Sequence, residues 1–391
     1  MAVCAYIVGD STTELWGLRG RERLRRSLNG QLGIRCLASP GDGTDQVLLL
    51  RGDYIFDPRI LDALTTEGDA LAVRADDGHC AAARVDAGDA QAAAAALEQG
   101  IDPAGLPVHT GVDLVTGART RLKGVAVPRI DPIREADRAA LESRLFAGAY
   151  KGVTDLVTKW LWPAPAALAT RACIALGITP NMVTVTSVVL AILAGWAFVE
   201  GAFWPGLAAA WLMTFLDTLD GKLARVTVNS SRLGDVLDHG LDLIHPPLWY
   251  LAWGLGLSTW AMVPGLGTTI TLLFATYIGG RLCEGGFQLL APFSLFTWQP
   301  FDSCNRLITA RRNPNLLLLT ASLAVGRPDV GLWLVAAWHT ISTLVLLFRV
   351  IQALWQNQRG EGLASWLDGV DPVANRDRLV VRLFTQVPPQ P

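Results

Sequence analysis

Residues 216–242 read LDTLDGKLARVTVNSSRLGDVLDHGLD, with aspartates at 217, 220, 235, 238 and 242. The stretch follows GLAAAWLMTF and precedes LIHPPLWYLAWGLGL, both strongly apolar. Carboxylates are costly in such surroundings unless something pairs with them. Their spacing says what they can do together. With a turn at about Asn229–Ser231, the stretch becomes two helical ends. In the first, Asp217, Asp220, Gly221, Ala224 and Arg225 fall at offsets 0, 3, 4, 7 and 8, one helix face. In the second, Gly234, Asp238 and Asp242 are four apart, again on one face. Two antiparallel helices can therefore turn Asp217, Asp220, Asp238 and Asp242 toward one pocket. Gly221, Ala224 and Gly234 lack bulk, so a ligand or a neighbouring helix can come close there.

Four clustered carboxylates need more positive charge than one arginine supplies. Hard oxygen donors suit Mg²⁺ or Mn²⁺, which commonly share their coordination with substrate phosphates. Two such ions serve phosphoryl chemistry by stabilising the attacking and leaving oxygens, and one acid can be spared as a base. Asp235 lies outside the pattern and reads as a solvated helix-start residue. His239 points about 100° away from Asp238 and reads as packing or a rim contact. His245 shares the Asp242 face but is followed by Pro246. Intramembrane acids also serve ion or proton paths in transporters, which leaves a cation-coupled transporter as the alternative of another class. Transporters often carry paired repeats, and no second copy of the acidic pattern occurs in the sequence.

Composition agrees with a membrane setting. The chain has 391 residues, 51% of them hydrophobic, and a net charge of −2. Its mean hydropathy is positive, and long apolar runs dominate from Met182 onward. They predict six spans, roughly 182–201, 204–227, 233–257, 261–286, 310–326 and 330–353. Basic residues precede the first span (Arg144, Lys151, Lys159, Arg171). They recur at Arg225 and Arg232, at Arg306, Arg311 and Arg312, and at Arg359. The alternate loops are nearly free of them, so both ends and the acidic cluster are expected on the cytoplasmic side of the inner (plasma) membrane. The N-terminus lacks a basic segment followed by a long apolar core and is not expected to be a signal peptide. No basic arm points to nucleic acid. The cysteines at 4, 36, 80, 173, 283 and 304 form no CxxC pair or zinc-type spacing and read as reduced thiols.

Residues 1–130 alternate short apolar runs (CAYIV, QVLLL, ALAVRA) with helical stretches, as an α/β domain does. Residues 131–178 read as a linker and an interfacial amphipathic helix, with Trp160 and Trp162 among Lys151, Lys159 and Arg171. Residues 179–356 form the predicted all-α membrane domain of six transmembrane helices, and 357–391 a polar cytoplasmic tail.

The spacing D-x2-D-G-x2-A-R-x8-G-x3-D-x3-D, met at Asp217, Asp220, Gly221, Ala224, Arg225, Gly234, Asp238 and Asp242, resembles the signature of the CDP-alcohol phosphotransferase (CDP-alcohol phosphatidyltransferase) family. The resemblance implies six membrane helices with the motif on the second and third, a homodimer, and two divalent ions, Mg²⁺ or Mn²⁺. Asp217, Asp220 and Asp238 would bind the metals, with Asp242 a shared ligand or the base that deprotonates an acceptor hydroxyl. Gly221, Ala224, Arg225 and Gly234, with Asp217, would line the cytidine diphosphate site. TPNMVT at Thr179–Thr184 is similar to the family's opening to its first span, where Asn181 would reach the diphosphate. The donor would be CDP-diacylglycerol or a CDP-polyol, and the product a phospholipid or polyol phosphodiester released with CMP.

Arg281, Arg311 and Arg312 are candidates for holding an acceptor phosphate by bidentate contacts, with ordinary cytoplasmic anchoring as the other reading; Arg306 is a weaker candidate. ARRNPN at 310–315 resembles a subgroup that uses inositol-phosphate-like acceptors, and other hydroxyl acceptors stay open. The fusion itself resembles bifunctional proteins joining an inositol-phosphate cytidylyltransferase to a di-inositol-phosphate phosphate synthase. VLLLRGDYIFDPRIL at 47–61 resembles the strand and Gly-Asp segment of sugar nucleotidyltransferases, where Asp53 would hold a metal. Such enzymes cradle a triphosphate in a Gly-rich loop. The corresponding place here reads IVGDSTTELWGLRGRERLRR, without a GGxGxR run. The expectation is a nucleotidyltransferase-like fold without cytidylyl transfer, serving as scaffold, regulator or docking surface. An active front domain that makes its own CDP-inositol-type donor is the alternative.

Overall fold

The structure is a computed structural model that describes residues 4–42, 45–66, 68–115, 127–150, 152–229, 232–258, 264–368, 370 and 374–385, with the side chains of 232–239 and 241 outside that description. The chain divides into two compact units. The first comprises Met1–Leu122, Ala126–Tyr150 and Leu223–Ser230; the second comprises Lys123–Val125, Lys151–Lys222 and Ser231–Pro391.

The first unit runs β1 (Cys4–Val8), α1 (Gly20–Arg26), β2 (Gln46–Arg51), β3 (Tyr54–Phe56), α2 (Pro58–Thr65), β4 (Leu71–Arg74), β5 (Cys80–Asp86), α3 (Ala90–Glu98), β6 (Val108–Thr110), α4 (Gly111–Val115), β7 (Ile130–Pro132) and α5 (Arg138–Gly148). Five strands form a mixed sheet in the order β1-β2-β5-β4-β6, parallel at β1/β2 and β4/β6 and antiparallel between. The apolar run of β2 feeds both faces. Leu48 and Leu50 enter a core with Ile7, Leu24, Ile60 and Leu64, while Val47 and Leu49 enter another with Ala93, Ala94 and Leu97 of α3. A strand covered on both faces has no polar side to show, which is why it reads as unbroken hydrophobics. Burying such side chains stabilises the fold by roughly 1.5–3 kcal/mol each.

The unit continues past residue 130 for a local reason. β7 pairs antiparallel with β3, and Leu141 of α5 packs with Leu15, Ile55 and Ile133. α1 lies hard against the β2–β3 turn. A Cβ at Gly20 would stand 1.9 Å from the carbonyl oxygen of Gly52, and one at Gly52 would stand 2.5 Å from that of Gly9. Here the chain's own backbone occupies the ground beside Asp53.

The second unit holds α6 (Pro163–Ala175), α7 (Pro180–Val199), α8 (Phe203–Val226), α9 (Arg232–Ser258), α10 (Leu266–Leu290), α11 (Pro300–Ile308), α12 (Arg312–Ala324), α13 (Pro328–Gln358) and α14 (Leu379–Phe384), except that the last turn of α8 is grouped with the first unit. A helix stands at each of the six expected spans. Among the described residues α7 and α13 are long and apolar enough to cross a membrane. α12, with 13 residues, is shorter than a span requires. The polarity of α7 and α13 is inverted relative to a water-soluble bundle. α7 buries Thr184, Ser187, Ala191 and Ala194 and exposes Val185, Val189, Ile192 and Trp196; α13 buries His339 and Ser342 and exposes Ile341, Leu344 and Phe348. Small and polar residues inside with bulky apolar ones outside is the packing expected where lipid is the solvent. The helices are also tied by hydrogen bonds, from Trp249 Nε1 to the Ala191 carbonyl (2.9 Å), from Trp253 Nε1 to that of Pro328 (3.0 Å), and from Thr343 Oγ1 to that of Thr276 (2.8 Å).

Candidate active site

α8 presents Asp217 and Asp220 one turn apart. Asp220 is buried, and its Oδ2 accepts from the Thr184 hydroxyl at 2.6 Å. Thr184 belongs to the opening of α7, where Thr179 caps the helix and Pro180 takes its first position. The TPNMVT segment thus serves the motif through Thr184; Asn181 stands exposed in the first turn.

Asp217 meets Asp242 of α9 through a third helix. Arg312, the first residue of α12, donates from Nη2 to Asp217 Oδ2 and from Nη1 to Asp242 Oδ1, the latter at 2.6 Å. The Asp217 and Arg312 side chains are 11% and 15% exposed, but that of Asp242 is 50% exposed, which leaves it open to a reactant. Gly221 and Ala224 are half-buried on the same helix. Arg225 is exposed in the part of α8 grouped with the first unit, and its Nη1 donates to the Ala149 carbonyl at 2.9 Å. Gly234 and Asp238 lie on α9, but their side chains are outside the described residues, as are those of Asp235 and His239. His245 is buried with its ring 4.6 Å from that of Trp249.

A second charged group forms beside this one. Glu284 of α10 accepts from Arg311 Nη2 and stands 3.6 Å from Arg281 Nη1. Arg306 of α11 makes no hydrogen bond or ion pair among the described residues, and its Nη1 is buried. Burial and the neighbouring Arg311 lower its guanidinium to about 9. Arg306 and Arg311 both lie over the Phe296 ring, 5.3 and 5.4 Å from its centre. Two arginines therefore share one glutamate with a third guanidinium stacked beside them, a surplus of positive charge suited to an anion. The sequence pointed to Arg281, Arg311 and Arg312, with Arg306 as a weaker candidate; in the structure Arg312 engages Asp217 and Asp242, while Arg306 stacks beside Arg311.

α12 itself is held by Asp155, which accepts from Asn313 Nδ2 (3.0 Å), Thr158 Oγ1 (2.8 Å) and the backbone N–H groups of Val157 and Thr158. Burial acts to raise the Asp155 carboxyl. The charge of Arg306 and these hydrogen bonds outweigh it and hold the group below the usual carboxylate range. No spacing rule links Asp155 to Asn313, 158 positions away, so this anchor is visible only in the packing.

In the first unit, Asp53 is engaged by Arg51 from both ends of its carboxylate, at 3.0 and 2.6 Å, and Arg51 also lies over Tyr54. A cleft of about 350 Å³ near the start of α1 is lined by charges of both signs, among them Asp10, Glu14, Arg19, Arg21 and Glu22.

Carboxylates from α8 and α9 thus meet on Arg312, beside a group in which Arg281, Arg306 and Arg311 outnumber Glu284. Residues 177–283 match the CDP-alcohol phosphatidyltransferase family. A phosphatidylinositol phosphate synthase of Mycobacteroides abscessus is 32% identical over 120 residues, covering 29% of this chain and 54% of the relative. That of Mycobacterium marinum is 30% identical over 125 residues, covering 30% and 53%. An archaetidylinositol phosphate synthase of Pyrococcus horikoshii is 27% identical over 181 residues, covering 46% and 85%. The chain spans about half the length of the two mycobacterial relatives.

Proposed function

We propose that the protein is an integral membrane CDP-alcohol phosphotransferase that moves a substituted phosphate from a CDP-alcohol to an acceptor hydroxyl and releases CMP. The observation that carries this reading is the convergence of Asp217 and Asp242, from two helices of the matched segment, on one guanidinium. The names of the relatives favour a CDP-activated lipid as donor and an inositol phosphate as acceptor. The basic loops and the inverted polarity of α7 and α13 support a multi-pass arrangement with the site at the cytoplasmic face.

The donor chemistry suits a divalent ion, although among the described residues no three acidic, histidine or cysteine side chains stand together as a metal cluster, and the Asp238 side chain lies outside them. Asp217 and Asp242 reach the same cationic group, both offer hard oxygen donors, and Asp220 adds a third on the same face of α8. Asp217, Asp220, Asp238 and Asp242 would hold Mg²⁺ or Mn²⁺, which when bound supplies charge neutralisation to the diphosphate. Asp242, the exposed carboxylate, takes the proton of the acceptor hydroxyl. The freed oxygen bonds to the phosphorus that bears the donor alcohol, and the bond from that phosphorus to the CMP oxygen breaks. Arg281, Arg306 and Arg311 hold the acceptor's phosphate while Arg312 keeps Asp217 and Asp242 apart in charge and close in space.

In the front domain, the Arg51–Asp53 pair and the backbone packed at Gly20 and Gly52 favour a scaffold or docking role over cytidylyl transfer. The test of the whole reading is CMP release by the purified chain from CDP-diacylglycerol with inositol phosphate and Mn²⁺. Asp238→Asn and Asp242→Asn should each abolish it, and full release by both variants would overturn the reading.

A further inference from the structure

α9 contains two consecutive prolines, Pro246 and Pro247, inside the helix. A proline has no N–H, so the carbonyls four residues earlier, Asp242 and Leu243, lose their helical donors. Uncovered carbonyls are costly among apolar helices. The hydroxyl of Tyr277 on α10 supplies what is missing. It donates to the Leu243 carbonyl at 2.8 Å and stands 3.4 Å from that of Asp242, so its single proton covers both edges of the break. Tyr277 is buried, and the Arg281 guanidinium lies 5.2 Å from its ring centre. Arg281 also reaches Glu284, the residue that holds Arg311. The side chain that replaces the lost helix bonds at Asp242 is therefore stacked on an arginine of the anion cluster.

We propose that Tyr277 is a positioning residue for Asp242. Its hydroxyl fixes the turn that aims the Asp242 carboxylate, and its contact with Arg281 ties that aim to the arginines that receive the acceptor. This rests on the reading of Asp242 as the base. A misplacement of about 1 Å in a reacting group can cost about a hundredfold in rate. A base freed from such a tether therefore shows its loss in kcat.

Tyr277→Phe keeps the ring and its stacking and removes only the hydroxyl. In the full-length protein in detergent, kcat for CMP release should fall by about tenfold or more while the KM for the CDP-alcohol stays within about twofold. Pro247→Ala returns an N–H to the Leu243 carbonyl. In that background, removal of the Tyr277 hydroxyl should cost less than about threefold in kcat. Equal losses in both backgrounds, or an unchanged kcat in the single variant, would overturn the proposal. The same four proteins give a thermal-unfolding cycle that needs no turnover. Non-additive melting temperatures support the clamp, and additive ones refute it. If the unaltered protein releases no CMP, the transferase reading fails on its own, and the cycle still decides the clamp.

Discussion

Arg312 Nη1 stands 2.6 Å from Asp242 Oδ1, and the other terminal nitrogen of the same guanidinium holds Asp217. One positive charge thus sits between carboxylates from two helices. Removing it takes away the cation that the two share, a loss of about 1.5–3 kcal/mol. Arg312→Gln should therefore melt well below the unaltered protein in chelator. Millimolar Mn²⁺ should recover much of that loss, because a divalent ion then has no guanidinium to compete with. Equal Mn²⁺ shifts in the two proteins would show that the metal does not share the Arg312 seat.

Arg306 behaves differently because, among the described residues, it has no acidic partner within hydrogen-bond or ion-pair distance. A buried, unpaired guanidinium costs the folded state free energy. Arg306→Gln should therefore not lower the melting temperature of the ligand-free protein. It should raise the KM for a phosphorylated acceptor by about tenfold, the worth of one charge-assisted hydrogen bond, and leave that for the donor unchanged. A comparable rise in the KM of an acceptor lacking phosphate would contradict the assignment.

Asp155 gives the fold an acid-sensitive anchor. Its carboxyl titrates lower in the folded chain than in the unfolded one. The unfolded chain therefore binds that proton first as pH falls, and the stabilisation present above about pH 4 is lost as pH drops through the folded value. Melting temperature followed from neutral pH to about pH 3 should fall more steeply for the unaltered protein than for Asp155→Asn. Parallel curves would exclude the anchor.

The last turn of α8 ends in an unusual way. Asn229 N–H donates to the Ala224 carbonyl at 2.9 Å and Val228 N–H to that of Arg225 at 3.4 Å, a Schellman pattern. The residue in the left-handed position, normally glycine, is Val228, with φ 48°. The two remaining carbonyls are capped by arginines of α1, Val226 by Arg23 at 2.7 Å and Thr227 by Arg26 at 3.0 Å. A β-branched residue in this conformation costs about 1–3 kcal/mol. Val228→Gly should raise the melting temperature by a few degrees, and Arg26→Gln should lower it by less in that background than alone. A destabilised Val228→Gly protein would contradict this account.

Spacing along one element was legible without coordinates. The offsets that put Asp217 and Asp220 on one face of α8, the helix pattern at all six apolar stretches and the doubly buried run of β2 follow from the fixed periods of helix and strand. The partner of each charge was not legible. Arg312 lies 95 positions from Asp217, Glu284 joins Arg281 to Arg311 across two helices, and Tyr277 covers carbonyls that Pro246 and Pro247 freed on another. A local period sets the direction in which a side chain leaves its own backbone. Which side chain it meets depends on how helices pack, a choice made by the summed fit of many surfaces rather than by any single spacing.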